Sequence, residues 1–213
     1  MNDIVIVGTG GFAKETAFVI EEINKKEHFW NLLGFIASDK QLIGSTQGKY
    51  KVYNTDDWLL TTDKKVNVVF GLGDPKLISK LSNKFKVNNN LIFPNLIHPN
   101  VIGDWEKIIL RKGNIICAGN IFTTDIFVGS FNVFNLSCTV GHDTEIGNCN
   151  VFNPTVNISG GVKIENNILI GTGSQLLQYM KICSDSTIGA GSAVTKNIEE
   201  PGVYVGTPAR KIK

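Results

Sequence analysis

From Leu110 onward every sixth residue of this chain is apolar, and the series runs fifteen positions without a miss: Leu110, Ile116, Phe122, Val128, Phe134, Val140, Ile146, Phe152 and so on to Val194. With 42% apolar residues, chance would produce such a series about twice in a million trials (0.42 to the fifteenth power), so the spacing is a design constraint. Glycine follows the apolar residue in several hexads, as in Val128-Gly129, Val140-Gly141, Ile146-Gly147, Ile170-Gly171 and Ile188-Gly189. The position four after it is usually small or Asn, as at Asn132, Cys138, Thr144, Ser174, Ser186 and Ser192. Neither the helical period of about 3.6 nor the strand period of about 2 generates this pattern. A parallel solenoid does: each hexad supplies one short strand and one corner, and three hexads close a triangular coil with the apolar residues inside. Residues 110–199 then make five coils, with a height of about 24 Å at the roughly 4.8 Å spacing of stacked strands. Val101, Ile102 and Ile108 are out of phase and are expected to form an irregular capping coil.

The first half has a different grammar. Ile4–Val7 reads as a buried strand that ends in Gly8-Thr9-Gly10-Gly11, and residues 13–26 carry helical spacing through Ala13, Ala17 and Ile20. Residues 32–36 and 66–70 read as further strands. Asp74-Pro75 is an N-cap followed by proline at the first helical position, with Leu77, Ile78, Leu81 and Phe85 expected on the inner face. Asn88-Asn89-Asn90 marks a turn before a strand at 91–93. Strand–helix alternation implies a small parallel sheet with helices on both sides. The fold class expected is therefore an α/β N-terminal domain (1–99) followed by an all-β parallel helix (100–213), the change falling near residues 95–105 at Pro94, Pro99 and the phase shift.

Twenty-one Lys and Arg against nineteen Asp and Glu give a formal charge of +2, without the basic excess of a nucleic-acid binder. No apolar run approaches the roughly 18 residues of a membrane span, and the N-terminus lacks the basic and long apolar regions of a signal peptide. Cys117, Cys138, Cys149 and Cys183 contain no C-x-x-C pair and read as small buried thiols of a reducing compartment. The expectation is a cytoplasmic protein.

Two groups of residues could carry chemistry. Gly8-Thr9-Gly10-Gly11-Phe12-Ala13 sits where a parallel sheet binds ligands, beyond the carboxyl end of its first strand, and glycines there let backbone N–H groups approach an anionic oxygen. The segment formally matches G-x-G-x-x-A, with Asp39 as a conceivable ribose acid, yet about 95 residues make only half of a dinucleotide-binding sheet. It reads as a phosphate site for a mononucleotide-linked ligand, a dinucleotide site or a bare tight turn. In the solenoid the one histidine is His142, in Val140-Gly141-His142-Asp143, at a corner and so directed outward. An imidazole, with an ordinary pKa of about 6.5, suits removal of a proton from an amine or hydroxyl, although a solvated surface histidine is the plain alternative. One coil of 18 residues beyond it lies Gly160, whose N–H could donate to a thioester carbonyl. Asn135, about one face back, either helps hold an acceptor or is a turn residue. A zinc hydratase of the same solenoid type would need three histidines, and only His98 and His142 lie near it.

The hexads, His142-Asp143 and the closing Val205-Gly206-Thr207-Pro208-Ala209-Arg210 together resemble the left-handed β-helix acyltransferases. The glycine-loop domain narrows the resemblance to sialic acid O-acetyltransferase-like sugar acyltransferases, which include N-acetyltransferases of nucleotide-linked 4-amino-deoxysugars, and it spans nearly the whole chain. The resemblance implies a left-handed β-helix behind a small Rossmann-like sheet, acetyl-CoA as co-substrate without a metal, and a homotrimer with active sites between subunits. It implies His142 as general base, Asp143 as the acid that orients it, Asn135 as an active-site residue and Gly160 as the thioester-facing amide. Gly8, Gly10, Gly11, Phe12 and Asp39 would hold the nucleotide sugar; Gly189, Ala190, Gly206, Thr207, Pro208, Ala209 and Arg210 would line the coenzyme A groove. The chain departs from the family at Phe12-Ala13, where G-G-H-G-K is usual, at Ala37 and Ser38, which replace paired acids, and at Val151, where many members have a second histidine. The activity expected is N-acetylation of a nucleotide-linked amino sugar for surface glycan synthesis; sugar O-acetylation and a nucleotide-sugar-binding protein with an inactive solenoid are the other readings.

Overall fold

A computed structural model describes residues 1–213. The chain opens with β1 (Asn2–Val7), α1 (Gly11–Lys26), β2 (Trp30–Ala37), a short β3 (Thr46–Gln47), β4 (Tyr50–Thr55), α2 (Asp56–Thr61), β5 (Val66–Phe70), α3 (Pro75–Phe85) and β6 (Leu91–Ile92). These strands form one sheet in the order β3-β4-β2-β1-β5-β6, parallel except for the β3–β4 hairpin. The order reverses between β1 and β5, the place where sheets of this class open a crevice at their carboxyl ends. Ile4, Val5 and Ile6 are wholly buried because helices cover both faces, which explains the unbroken apolar run of β1. Asp74 caps α3 by accepting from the Lys76 and Leu77 amides. The inner face of α3 is Ile78, Ser82 and Phe85, with Leu81 partly buried against the same core and bordering the crevice; Leu77, also expected inside, is exposed at the crevice. No helix is long and apolar enough to cross a membrane.

From Leu96 the chain winds into a three-sided prism of stacked parallel strands. Its first face runs from Leu96–Ile97 through Ile115–Ile116, Val133–Phe134 and Val151–Phe152 to Thr187–Ile188 and Val203–Val205. The second face runs from Ile102–Gly103 to Ala193–Val194, and the third from Ile108–Leu110 to Lys181–Ile182. Strand pairs such as Phe134↔Phe152 and Val140↔Ile158 have the 18-residue offset read from the hexads. Fourteen of the fifteen periodic residues are in the buried solenoid core, and Leu110 packs against it. The small-or-Asn positions are buried as well. Asn114, Asn132 and Asn150 stack one above another, each side-chain oxygen accepting the backbone N–H one coil on at 2.9 Å, which satisfies a polar group the corner would otherwise bury unpaired.

The coil expected to be an irregular cap is regular. Leu96–Ile97, Ile102–Gly103 and Ile108–Leu110 all pair in register with the next coil, and one extra residue before Ile108 accounts for the phase shift. Gly103 occupies an inward position, and a Cβ there would crowd the Trp105 indole at 3.1 Å; that ring fills the space and lies tilted against Phe122. The α/β domain packs on the first face, where Ile115, Val133 and Val151 join its two core clusters and Phe131 meets Phe70 and Phe93 edge-on. Val151 is 1% exposed in this seam.

Candidate active site

Val140 is the last residue of a second-face strand, and the chain then turns through Gly141-His142-Asp143 into the third face. Asp143 takes φ of +58°, a left-handed corner conformation that Asp tolerates, and its carboxylate lies 2.7 Å from His142 Nδ1. An ionised carboxylate only accepts, so Nδ1 carries the hydrogen, and in the neutral imidazole of that tautomer Nε2 is the nitrogen with the lone pair. The imidazole is about half exposed (48%), and its Nε2 end lies over Gly160, one coil away, as the repeat predicts. A Cβ on Gly160 would sit 2.5 Å from Nε2, so any other residue displaces the ring. The amides at this corner position, those of Thr124, His142, Gly160 and Gln178, have no acceptor in the chain; of the four residues only Gly160 is buried. On the edge between the third and first faces, by contrast, Asn148, Asn166 and Ser184 accept the corresponding N–H groups. A free donor and an imidazole nitrogen thus belong to residues in contact on one edge, a pairing that fits attack on a carbonyl whose oxygen needs a hydrogen bond.

The remaining expected residues lie elsewhere on the prism. Asn135 is at the edge between the first and second faces, where its side chain accepts the Leu136 N–H. Gly189 and Ala190 lie farther along that same edge, and the C-terminal segment folds back on it: Thr207 Oγ1 donates to Gly191 O, and the Ala209 N–H to Ala193 O. Ala209 and Arg210 border a cavity of about 270 Å³ with Lys196 at the end of the solenoid. His142, Asp143 and Gly160 therefore lie together on one edge, whereas Asn135 lies on another, three coils away from Gly189 and the C-terminal segment.

The crevice of the α/β domain is a third element, a cavity of about 390 Å³ lined by Gly8, Thr9, Ser38, Asp56, Lys80 and Lys84 among others. Gly8 has φ of +110°, and a Cβ there would strike Leu72 and the Gly71 carbonyl, so the turn requires glycine. Gly10 caps α1 without a side-chain bond, and no acid stands in the first turn, which leaves the helix terminus open to an anion. Phe12 packs into the domain cores, and Asp39 caps a short 3₁₀ turn by accepting from Gln41 N, so neither lines the crevice. Sequence reasoning missed its charged wall: Asp56 holds Lys84 at 3.2 Å, while Lys80 has no carboxylate partner. Those three are separated by a strand and a helix in sequence, and only the Asp74-Pro75 helix start hinted at where the lysines would point.

All four cysteines are free. Burial pushes the Cys117 thiol up to about 12 and that of Cys138 to about 11, so neither supplies a thiolate nucleophile near neutral pH. Replacing Gly160 with Ala is expected to cut turnover about 100-fold by moving the imidazole roughly an ångström, since misplacement of that order has that cost. Gly160 has an ordinary φ and the crowded atoms belong to an exposed side chain, so the melting temperature should hardly change; kinetics beside a thermal melt check both.

The family model of the PglD N-terminal domain matches residues 3–85. No curated protein sequence matches the chain. Among solved structures, the acetyltransferase domain of PglB from Neisseria gonorrhoeae superposes with a TM-score of 0.88 at 20% identity over 100% of both chains. A histidine-to-asparagine mutant of perosamine N-acetyltransferase from Caulobacter crescentus, in complex with CoA and GDP-perosamine, gives 0.89 at 23% identity over 100% of this chain and 98% of that one. WeeI from Acinetobacter baumannii gives 0.86 at 25% identity, with both chains fully covered. Residues 3–85 thus match the PglD N-terminal domain, and the whole chain shares the two-domain fold, an α/β sheet followed by a left-handed β-helix, of these acetyltransferase structures.

Proposed function

We propose that the protein is a cytoplasmic acetyl-CoA-dependent N-acetyltransferase that acts on a nucleotide-linked amino-deoxysugar, a 4-amino sugar by preference, in surface glycan synthesis. The observation that carries this reading is the His142 imidazole, oriented by Asp143 and laid over the unpartnered Gly160 amide. The acceptor amine attacks the thioester carbonyl carbon, and His142 Nε2 takes the amine proton. The Gly160 N–H receives the oxyanion; as the intermediate collapses the C–S bond breaks, and the departing thiolate recovers the proton. No covalent enzyme intermediate is needed. Ligands bound to neighbours of the same fold, CoA and GDP-perosamine in the Caulobacter crescentus protein, support both substrate classes. The nucleotide goes to the Gly8–Lys80 crevice, and the coenzyme to the edge that carries Gly189, Ala190 and residues 206–210.

These parts meet only between chains. The α/β domain covers the first face of the prism, and His142 sits on the opposite edge, so one chain cannot bring its own crevice to its own base. Ile102, Ile109, Ile121 and Phe127 leave an exposed apolar patch on the second and third faces of the first two coils, which suits the seam of a homotrimer. The test is thiol release from acetyl-CoA with a panel of nucleotide-linked amino sugars, with product mass read in parallel. Release with one of them, and gain of one acetyl group on nitrogen, is the expected result. A protein that binds a nucleotide sugar but releases no thiol with any member ends the enzymatic reading.

A further inference from the structure

The coil after Ser159-Gly160-Gly161 presents Leu177-Gln178-Tyr179 on the edge that carries His142, and all three are exposed. Tyr179 has φ of +61°, a left-handed conformation that is unfavourable for a bulky side chain. Nine non-glycine residues take positive φ at the corners, and only two of them are aromatic. The other, Phe131, is 3% exposed between Phe70 and Phe93, where packing offsets the strain. Tyr179 has no such offset: it is 66% exposed and its hydroxyl makes no hydrogen bond. Its ring covers Gly161, where a Cβ would overlap Tyr179 Cδ1. Two rings thus lie over two adjacent glycines, the imidazole on Gly160 and the phenol on Gly161, beside the free Gly160 N–H.

We propose that Tyr179, with Leu177, is the wall against which the thioester-bearing arm of the acyl donor packs as it runs along this edge to Gly160. The inference rests on the reading of His142 and Gly160 given above and adds the residues that bind the donor next to them. The ring contributes a flat apolar surface at little conformational cost, and by covering the arm it keeps water from competing for the Gly160 N–H.

Tyr179→Gly separates this role from a structural one, because glycine relieves the left-handed strain while deleting the wall. The expected result is a melting temperature equal to or a few degrees above wild type, with KM for acetyl-CoA raised about tenfold, equivalent to roughly 1.4 kcal/mol. KM for the nucleotide sugar should not follow, and Tyr179→Phe should match wild type. An unchanged donor KM in Tyr179→Gly, or an equal rise for both substrates, overturns the proposal. Calorimetric titration with coenzyme A distinguishes this failure from that of the proposed activity. If the wild-type chain releases no thiol yet binds coenzyme A, and Tyr179→Gly binds it about tenfold less tightly, the wall stands without the enzyme. Equal affinities remove the wall even in an active enzyme, and a wild-type chain that does not bind coenzyme A removes both.

Discussion

His142→Ala is expected to lower turnover about 10²–10⁴-fold, the range that a positioned general base contributes, while coenzyme A affinity stays nearly unchanged. The split follows from geometry. The side chain is half exposed and packs on a glycine, so its removal leaves no cavity in the core and melts no coil. The residues proposed to hold most of the coenzyme lie on another edge of the prism. What is lost is the lone pair at Nε2 and its place beside Gly160. Asp143→Asn should give a smaller loss, because the neutral amide either donates to Nδ1 or accepts from it and no longer selects one tautomer. Steady-state rates with both substrates saturating, beside calorimetry with coenzyme A, check the pair. Full activity in His142→Ala would show that an unassisted amine suffices and would end the assignment of the base.

The solenoid was legible because its core is written one residue at a time at a fixed interval, and the same interval placed Gly160 beneath His142. The first coil was not, because one added residue near Trp105 shifts the phase and Gly103 stands where an apolar residue is expected; only coordinates show an indole filling the space. In the α/β domain, β1, β5 and α3 carried strong signals of burial or capping. The strand β4, with Val52 and Thr55 as its buried residues, gave almost none. The His142 cluster on one edge could be read from register arithmetic. Asp56, Lys80 and Lys84 could not, since lysines on an amphipathic helix read as its solvated side until the fold shows a crevice against them. Tyr179 was hidden for a related reason: a single exposed aromatic means nothing in sequence, and its significance comes from a backbone angle and the glycine under its ring.

The largest loss of stability from a single change is expected at Phe134. Its ring is fully buried at the centre of an aromatic column, 4.9 Å from Phe122 edge-on and 4.5 Å from Phe152 in a parallel stack. Phe134→Ala removes both contacts, and the backbone ladders that fix Ile116, Phe134 and Phe152 one coil apart prevent the neighbours from closing the gap. The cost should be about 3–5 kcal/mol, the upper range for a large core residue cut to alanine where the site cannot relax. Phe134→Leu keeps most of the volume and should cost about 1–2 kcal/mol. Chemical denaturation at one fixed protein concentration measures both, the concentration being fixed because the apparent stability of the proposed homotrimer would depend on it. A solenoid is held by nearest-neighbour contacts between coils, so a defect in the coil that contains His142 uncouples the α/β domain's platform from the C-terminal coils. Phe134→Ala should therefore also broaden the unfolding transition, and Ile182→Val, far up the stack, should shift it without broadening. A Phe134→Ala protein as stable as wild type, unfolding in one sharp step, would mean that the aromatic column does not hold the prism together.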